Sequence, residues 1–276
     1  MDDYKPHKPH CPLCNDTGKR MMMLDGREIY LKCECRGKDE KTKCAICKDT
    51  GWKLVMKDGR EVAQKCECQA TDIYIARGQK ANIPPRFLGY EIKAYYPQDG
   101  NSSQEKARMA VQQFIDEYPV VKDDKGLLLQ GPVGVGKTRL LCSIASGLIN
   151  KFKTIDIYYI DWNDLVREMR SGESHDTRDF FYINELVSKL INADLLLFDE
   201  LGASKLSEWV QDYIYHIFNK RYNNKKLTVC ASNYSDTQVK DIETLAQRIG
   251  TRIRSRLYEM TETLEIKGTD YRKRYG

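Results

Sequence analysis

No apolar run in these 276 residues approaches the ~20 that a helical bilayer span needs, so no membrane-spanning helix is expected. The opening residues Met1-Asp2-Asp3-Tyr4-Lys5-Pro6-His7 carry no apolar stretch of signal-peptide type, and a cytoplasmic location is expected. A strong excess of one charge is also missing, with 45 Lys and Arg against 40 Asp and Glu and a formal charge of +5. If eight cysteine thiolates hold two Zn²⁺ ions, that value falls to about +1, so global charge argues little for nucleic acid. Local basic stretches remain at Arg36-Gly37-Lys38, Lys41-Thr42-Lys43 and Arg272-Lys273-Arg274, where solvated surface and nucleic-acid contact are both open.

The cysteines are plentiful and ordered. Cys11-x2-Cys14-x18-Cys33-x-Cys35 is followed by Cys44-x2-Cys47-x18-Cys66-x-Cys68, with a constant offset of 33. Asp16-Thr17-Gly18 returns as Asp49-Thr50-Gly51, and Asp25-Gly26-Arg27-Glu28 as Asp58-Gly59-Arg60-Glu61. Residues 1–70 are therefore an internal duplication, and each half is a complete four-ligand set. Two close cysteine pairs joined by a hairpin, turned here at Asp-Gly, form a closed tetrahedral four-cysteine zinc site with no open position for a catalytic water. Disulfides would need an oxidising compartment that nothing indicates. His7 and His10 fall outside both sets and read as tail residues; Cys142 and Cys230, in apolar segments, read as packing residues.

From residues 71 to 103 the pattern loosens into a linker and edge segment. Ile83, Phe87, Leu88 and Tyr90 there either pack on the following domain or frame a base. From 104 onward, apolar strands alternate with amphipathic helices to residue 276, which implies an α/β domain with a parallel sheet covered by helices on both faces. Ligands of such a sheet bind beyond the carboxyl ends of its strands.

Gly131-Pro132-Val133-Gly134-Val135-Gly136-Lys137-Thr138 matches the whole Walker A pattern between an apolar strand and a helix. Glycines there let backbone N–H groups surround a phosphate at the positive end of the helix. Lys137 is expected to reach the β- and γ-phosphates and Thr138 to bind Mg²⁺. Leu195-Leu196-Leu197-Phe198-Asp199-Glu200 reads as Walker B, in which Asp199 holds Mg²⁺ and Glu200 polarises the attacking water. Asn233, at the tip of the next strand, is placed to orient that water or sense the γ-phosphate. Arg252 and Arg256 share a helix face, either as fingers acting on a neighbour's phosphates or as a solvated basic face.

GPVGVGKT, LLLFDELGA, EWVQDYIYHIFNKRYNNKKLTVCASNYS and RIGTRIRSRLYEM together resemble the AAA+ helicase loaders of the DnaC/DnaI type, over about residues 82–276. The resemblance implies an AAA+ P-loop ATPase that binds ATP with Mg²⁺ and loads a hexameric replicative helicase onto single-stranded DNA, self-assembling on the helicase. It implies Walker B roles for Asp199 and Glu200, sensor 1 for Asn233, and an arginine-finger region holding Arg252 and Arg256. A cysteine-containing N-terminal domain that grips the helicase belongs to the DnaI-like branch. Here that domain is duplicated, and the chain ends soon after Arg256, which suits a family that largely lacks the AAA+ lid. The rival readings are an ATPase helper of DNA transposition of the IstB type and a zinc-scaffold adaptor with a slow ATP switch.

The duplication makes a countable prediction. Metal analysis of protein purified without chelator should give about two Zn per chain, whereas one Zn, or an iron–sulfur chromophore, refutes the pairing. Cys33→Ser should unfold the first unit and leave ATP binding intact.

Overall fold

The computed structural model describes residues 19–24, 27–32, 44–47, 50, 52–57, 60–171, 177–238 and 241–274. The chain divides into two units, Met1–Thr71 and Asp72–Gly276.

The smaller unit contains two antiparallel hairpins, β1 (Lys19–Leu24) with β2 (Arg27–Lys32) and β3 (Trp52–Lys57) with β4 (Arg60–Lys65). Their registers are equivalent: Leu24 faces Arg27 as Lys57 faces Arg60. The two-residue Asp-Gly connections at 25–26 and 58–59 lie outside the described residues, as do His7, His10, Cys11, Cys14, Cys33, Cys35 and the basic stretches within 36–43.

Where the loosened pattern promised no regular element, a helix forms instead. Helix α1 (Glu67–Lys80) is polar round most of its circumference, so its periodicity is weak. Its order comes from a few contacts made by its second half, within the larger unit. The Tyr74 hydroxyl lies 2.9 Å from Ser146 Oγ, and the Arg77 guanidinium donates to the carbonyls of Ile149 and Phe152 at 2.5 Å each.

The larger unit continues with α2 (Ser102–Glu117), β5 (Gly126–Gln130), α3 (Lys137–Lys151), β6 (Ile157–Asp161), α4 (Trp162–Ser171), α5 (Thr177–Asn192), β7 (Leu195–Asp199), α6 (Glu208–Asn223), β8 (Leu227–Ser232), α7 (Leu245–Ile249), α8 (Thr251–Met260) and β9 (Thr261–Glu265). Five strands pair in the order β6-β7-β8-β5-β9, all parallel. Period-2 alternation divides the core. Leu127, Leu129, Leu195, Leu197, Val229 and Ala231 face α2 and α3, while Leu128, Leu196, Phe198 and Cys230 face the cluster built from α4 to α8. Cys142 and Cys230 are fully buried packing residues, and burial pushes the Cys230 thiol up to about 12. Helix α5 begins at Thr177, and residues 172–176 before it lie outside the described residues. Edge strand β9 is an addition to the expected sheet. Its Thr-Glu-Thr-Leu-Glu sequence is half exposed and carries no apolar run.

Arg221 of α6, fully buried, ties three elements together. It donates to the carbonyls of Leu190, Ile191 and Ala193 at the end of α5, to Leu227 O, and to Thr228 Oγ1 at the start of β8. Burial lowers its pKa to about 10, so the charge is retained at neutral pH because five acceptors replace its water. Arg221→Met should cost about 3 kcal/mol or more in chemical denaturation, since each orphaned buried acceptor loses its partner. A cost below ~1 kcal/mol would show that water takes over those carbonyls.

Candidate nucleotide-binding site

The parallel order decides what can meet. Strands β5, β7 and β8 adjoin in the sheet and end at one edge, so the loops that follow them share one cleft. A cavity of about 610 Å³ opens there. Val133, Gly134, Gly136, Lys137 and Thr138 line it from the loop after β5, Asp199 and Glu200 from β7, and Asn233 from β8. Gly131 and Pro132 sit beneath it with their carbonyls on the lysine, and Val135 is buried in the core. Gly134 (φ +83°) and Gly136 (φ +93°) adopt a left-handed backbone; a Cβ on Gly134 would come within 2.0 Å of Asp270 Oδ1.

Lys137 folds back on its own loop, donating to Gly131 O at 2.8 Å and Pro132 O at 2.7 Å. Burial lowers its pKa to about 8; Asp199 and Glu200 pull it upward, and Arg272 presses it down. A phosphate would bring a further anion to this buried cation and favour its charged form.

Asp199 is held on three sides. Burial raises its pKa, opposed by hydrogen bonds from the Thr138 hydroxyl, the Tyr159 hydroxyl (2.9 Å to Oδ2) and the Glu200 amide (2.9 Å to Oδ1). Glu200 has φ +52°, an uncommon conformation for a non-glycine residue, and its Oε2 accepts from Asn163 Nδ2 at 3.2 Å. Burial, then Asp161 and Asp199, raise its pKa. Neighbouring carboxylates with a hydroxyl at the same point form an oxygen donor set of the kind that suits Mg²⁺.

Arg86 and Arg272 line the cavity in addition to the residues expected there. Arg86 and Phe87 face it from the turn at Pro85–Phe87, with Tyr90 beyond. Of the segment around Ile83, Ile83 is buried and Phe87 and Leu88 pack on the core, while Phe87 and Tyr90 also line the cavity. Arg272 arrives from the chain's end, ion-paired with Asp270 at 2.9 Å, as the Tyr271 amide donates to Gly134 O at 3.0 Å. Only its basic character was legible.

Arg252 and Arg256 do not join this site. Both lie on α8, packed over Tyr215 (4.0 Å) and Tyr222 (4.5 Å) of α6.

In the smaller unit, Cys44, Cys47, Cys66 and Cys68 bring four sulfurs within 4.8 Å of one another. The Cys44–Cys66 and Cys47–Cys68 sulfurs are 3.7 and 3.3 Å apart, near the ~3.8 Å edge of a tetrahedron with ~2.3 Å Zn–S bonds. The donor set fits zinc.

Residues 101–276 match the family model described as IstB-like ATP binding protein. The replicative helicase loader DnaI of Bacillus subtilis (strain 168) is 30% identical over 139 residues, covering 50% of this chain and 42% of that protein. The chromosomal replication initiator DnaA of Lachnoclostridium phytofermentans is 30% identical over 152 residues, 54% of this chain and 30% of that one. The matched segment thus spans less than half of either relative. A crystal structure of the DnaC helicase loader superposes with a TM-score of 0.55 at 30% identity, covering 67% of this chain and 100% of that one. A DnaI crystal structure gives 0.55 at 26% identity, covering 67% and 94%.

The lowered Lys137 pKa has a defined pH consequence. Between about pH 8 and the ordinary lysine value of 10.5, the unfolded chain holds a proton that the folded, nucleotide-free protein has lost. Stability of the nucleotide-free protein should therefore gain a rising contribution across that window, and Lys137→Met should remove it. Identical pH–stability slopes in the two proteins would refute the burial assigned to this lysine. Affinity for a triphosphate should fall as pH passes about 8.

Proposed function

Because the chain belongs to the family of IstB-like ATP binding proteins, we propose that it is an ATP-hydrolysing loader that delivers a hexameric replicative helicase onto single-stranded DNA in replication initiation. One observation carries the reading: Lys137, Thr138, Asp199, Glu200 and Asn233 line a single cavity, while Arg252 and Arg256 stand outside it on α8. That arrangement suits an ATPase whose site is completed by another subunit. The likeness to DnaI and DnaC favours a helicase as partner.

On this reading Lys137 exchanges the Gly131 and Pro132 carbonyls for the β- and γ-phosphates of ATP. Thr138 and Asp199 would hold Mg²⁺, which would supply positive charge against the phosphates. Glu200, released from Asn163, accepts the proton of the attacking water, and Asn233 orients that water. Phe87 and Tyr90, with Arg86 beside them, offer aromatic faces to the base. Arg252 and Arg256 reach the phosphates of an adjacent subunit on the helicase. The duplicated cysteine units hold two structural Zn²⁺ ions and grip the helicase, and the whole acts in the cytoplasm.

A second reading, an ATPase helper of DNA transposition, has the family model itself on its side. Co-purification separates the two: a hexameric helicase on the full chain supports loading, and a transposase without helicase overturns it.

Turnover separates the residue roles. Glu200→Gln should bind ATP like the parent protein and lose hydrolysis, and retained hydrolysis would remove Glu200 from water activation. Arg252→Ala/Arg256→Ala and Lys137→Ala proteins should each be inactive, but a mixture should recover hydrolysis at interfaces that pair an intact phosphate loop with intact arginines. An arginine supplied in trans is worth on the order of a thousandfold in rate. Co-assembled mixtures that stay inactive would confine the arginines to a structural role.

A further inference from the structure

Between Arg252 and Arg256 lies a third arginine that faces inward. The Arg254 side chain is 2% exposed, and its guanidinium grips Asp236 at two points, Nε to Oδ1 at 2.7 Å and Nη2 to Oδ2 at 2.6 Å. Asp236 belongs to the loop that carries Asn233 into the nucleotide cavity. We propose that Arg254 is a positioning residue, and that the Arg254–Asp236 pair couples the nucleotide site of one subunit to the arginines that the subunit presents to its neighbour. The proposal rests on the ATPase reading above.

The contacts from the phosphate loop to α8 are continuous. Gln130, the residue before Gly131, donates from Nε2 to Tyr234 O at 3.1 Å and also hydrogen-bonds the Asp236 carboxylate. Gly131 N donates to Ser232 O at 3.2 Å, which ties the loop to the strand tip. From Asp236 the chain of contacts passes to Arg254, whose guanidinium lies 3.5 Å over the Tyr258 ring. Helix α8 is separated from α7 at Gly250, a left-handed position with φ +92°. Helix α7 is itself fastened through Arg248 to Gly202 O and Ala203 O, so the backbone between the two helices turns at Gly250.

The pair also has somewhere to go. Arg254 Nη1 is buried and has no acceptor among the described residues. A buried donor left unpaired is unfavourable, so this arrangement leaves room for a second, better-satisfied one. Nucleotide at Asn233 shifts the 233–236 loop, the bidentate grip transmits the shift, and Arg252 and Arg256 change their presentation. Lysine at 254 would keep the charge but grip at one point only, which blunts the transmission.

Hydrogen–deuterium exchange on the full chain tests this without relying on turnover. Peptides covering residues 131–138 and 251–260 are followed with and without Mg²⁺ and a non-hydrolysable ATP analogue. In the parent protein both should exchange more slowly with nucleotide, α8 by about fivefold or more, the lower end of common site-to-site couplings. In Arg254→Lys the phosphate loop should still respond and α8 should not. Simple loosening of α8 would instead speed its exchange equally with and without nucleotide. Should Arg254→Lys fail to fold, Arg254→Met/Asp236→Leu replaces the buried pair with apolar groups, a change often tolerated. An α8 response that persists in the folded variant, or is missing from a parent protein whose phosphate loop responds, overturns the coupling. Failure of both variants to fold also overturns it, assigning the pair to stability. A parent phosphate loop that ignores nucleotide overturns the ATPase reading, and the coupling with it.

Discussion

Backbone pairing between parallel strands is the constraint on which the rest depends. Parallel register brings strand ends to one edge, so the loops after β5, β7 and β8 must share one cleft. The charges follow from that convergence. Lys137 is buried where Asp199 and Glu200 already stand, and their proximity keeps its proton from being lost at still lower pH. Asp199 remains tolerable in a buried place because two hydroxyls and an amide point at it. Remove the sheet order and no member of the set has its counter-charge.

The chain's end contributes to the same cleft by a different route. Strand β9 runs beside β5, with Gln130 opposite Glu265, and leads Ile266 N to Gln130 O at 2.7 Å. From there the backbone crosses the phosphate loop, Asp270 filling the space that Gly134 leaves open and Arg272 facing the cavity. This segment covers the phosphate loop and brings a cation to it. That closure is held by hydrogen bonds between residues far apart in sequence, such as Gln98 Nε2 to Thr269 O at 2.8 Å.

The smaller unit obeys other physics. Hairpins of six-residue strands bury too little apolar surface to stand on a core, and Leu54 and Met56 remain exposed on β3. Four sulfurs drawn together around a metal would supply that stability instead, through coordination bonds that need no large interior. The core unit, by contrast, closes two extensive apolar layers on its sheet.

Much of this was legible in the sequence. Walker A, Walker B and the cysteine duplication are local patterns, because phosphate cradling, strand-end carboxylates and zinc ligation each need particular residue types a few positions apart. The alternation of apolar strands with helices carried the fold class for the same reason. What escaped was whatever depends on distant partners. Helix α1 has little apolar periodicity and is ordered by Tyr74 and Arg77 meeting α3 and the residue after it. Strand β9 is half solvent-facing, so its sequence lacks an apolar signature and only pairing with β5 defines it. Arg272 and Arg254 look like any other basic residues in the chain. One faces the cavity and the other is buried on Asp236 because parallel pairing and helix packing bring together residues far apart in sequence, and local spacing carries no record of that juxtaposition.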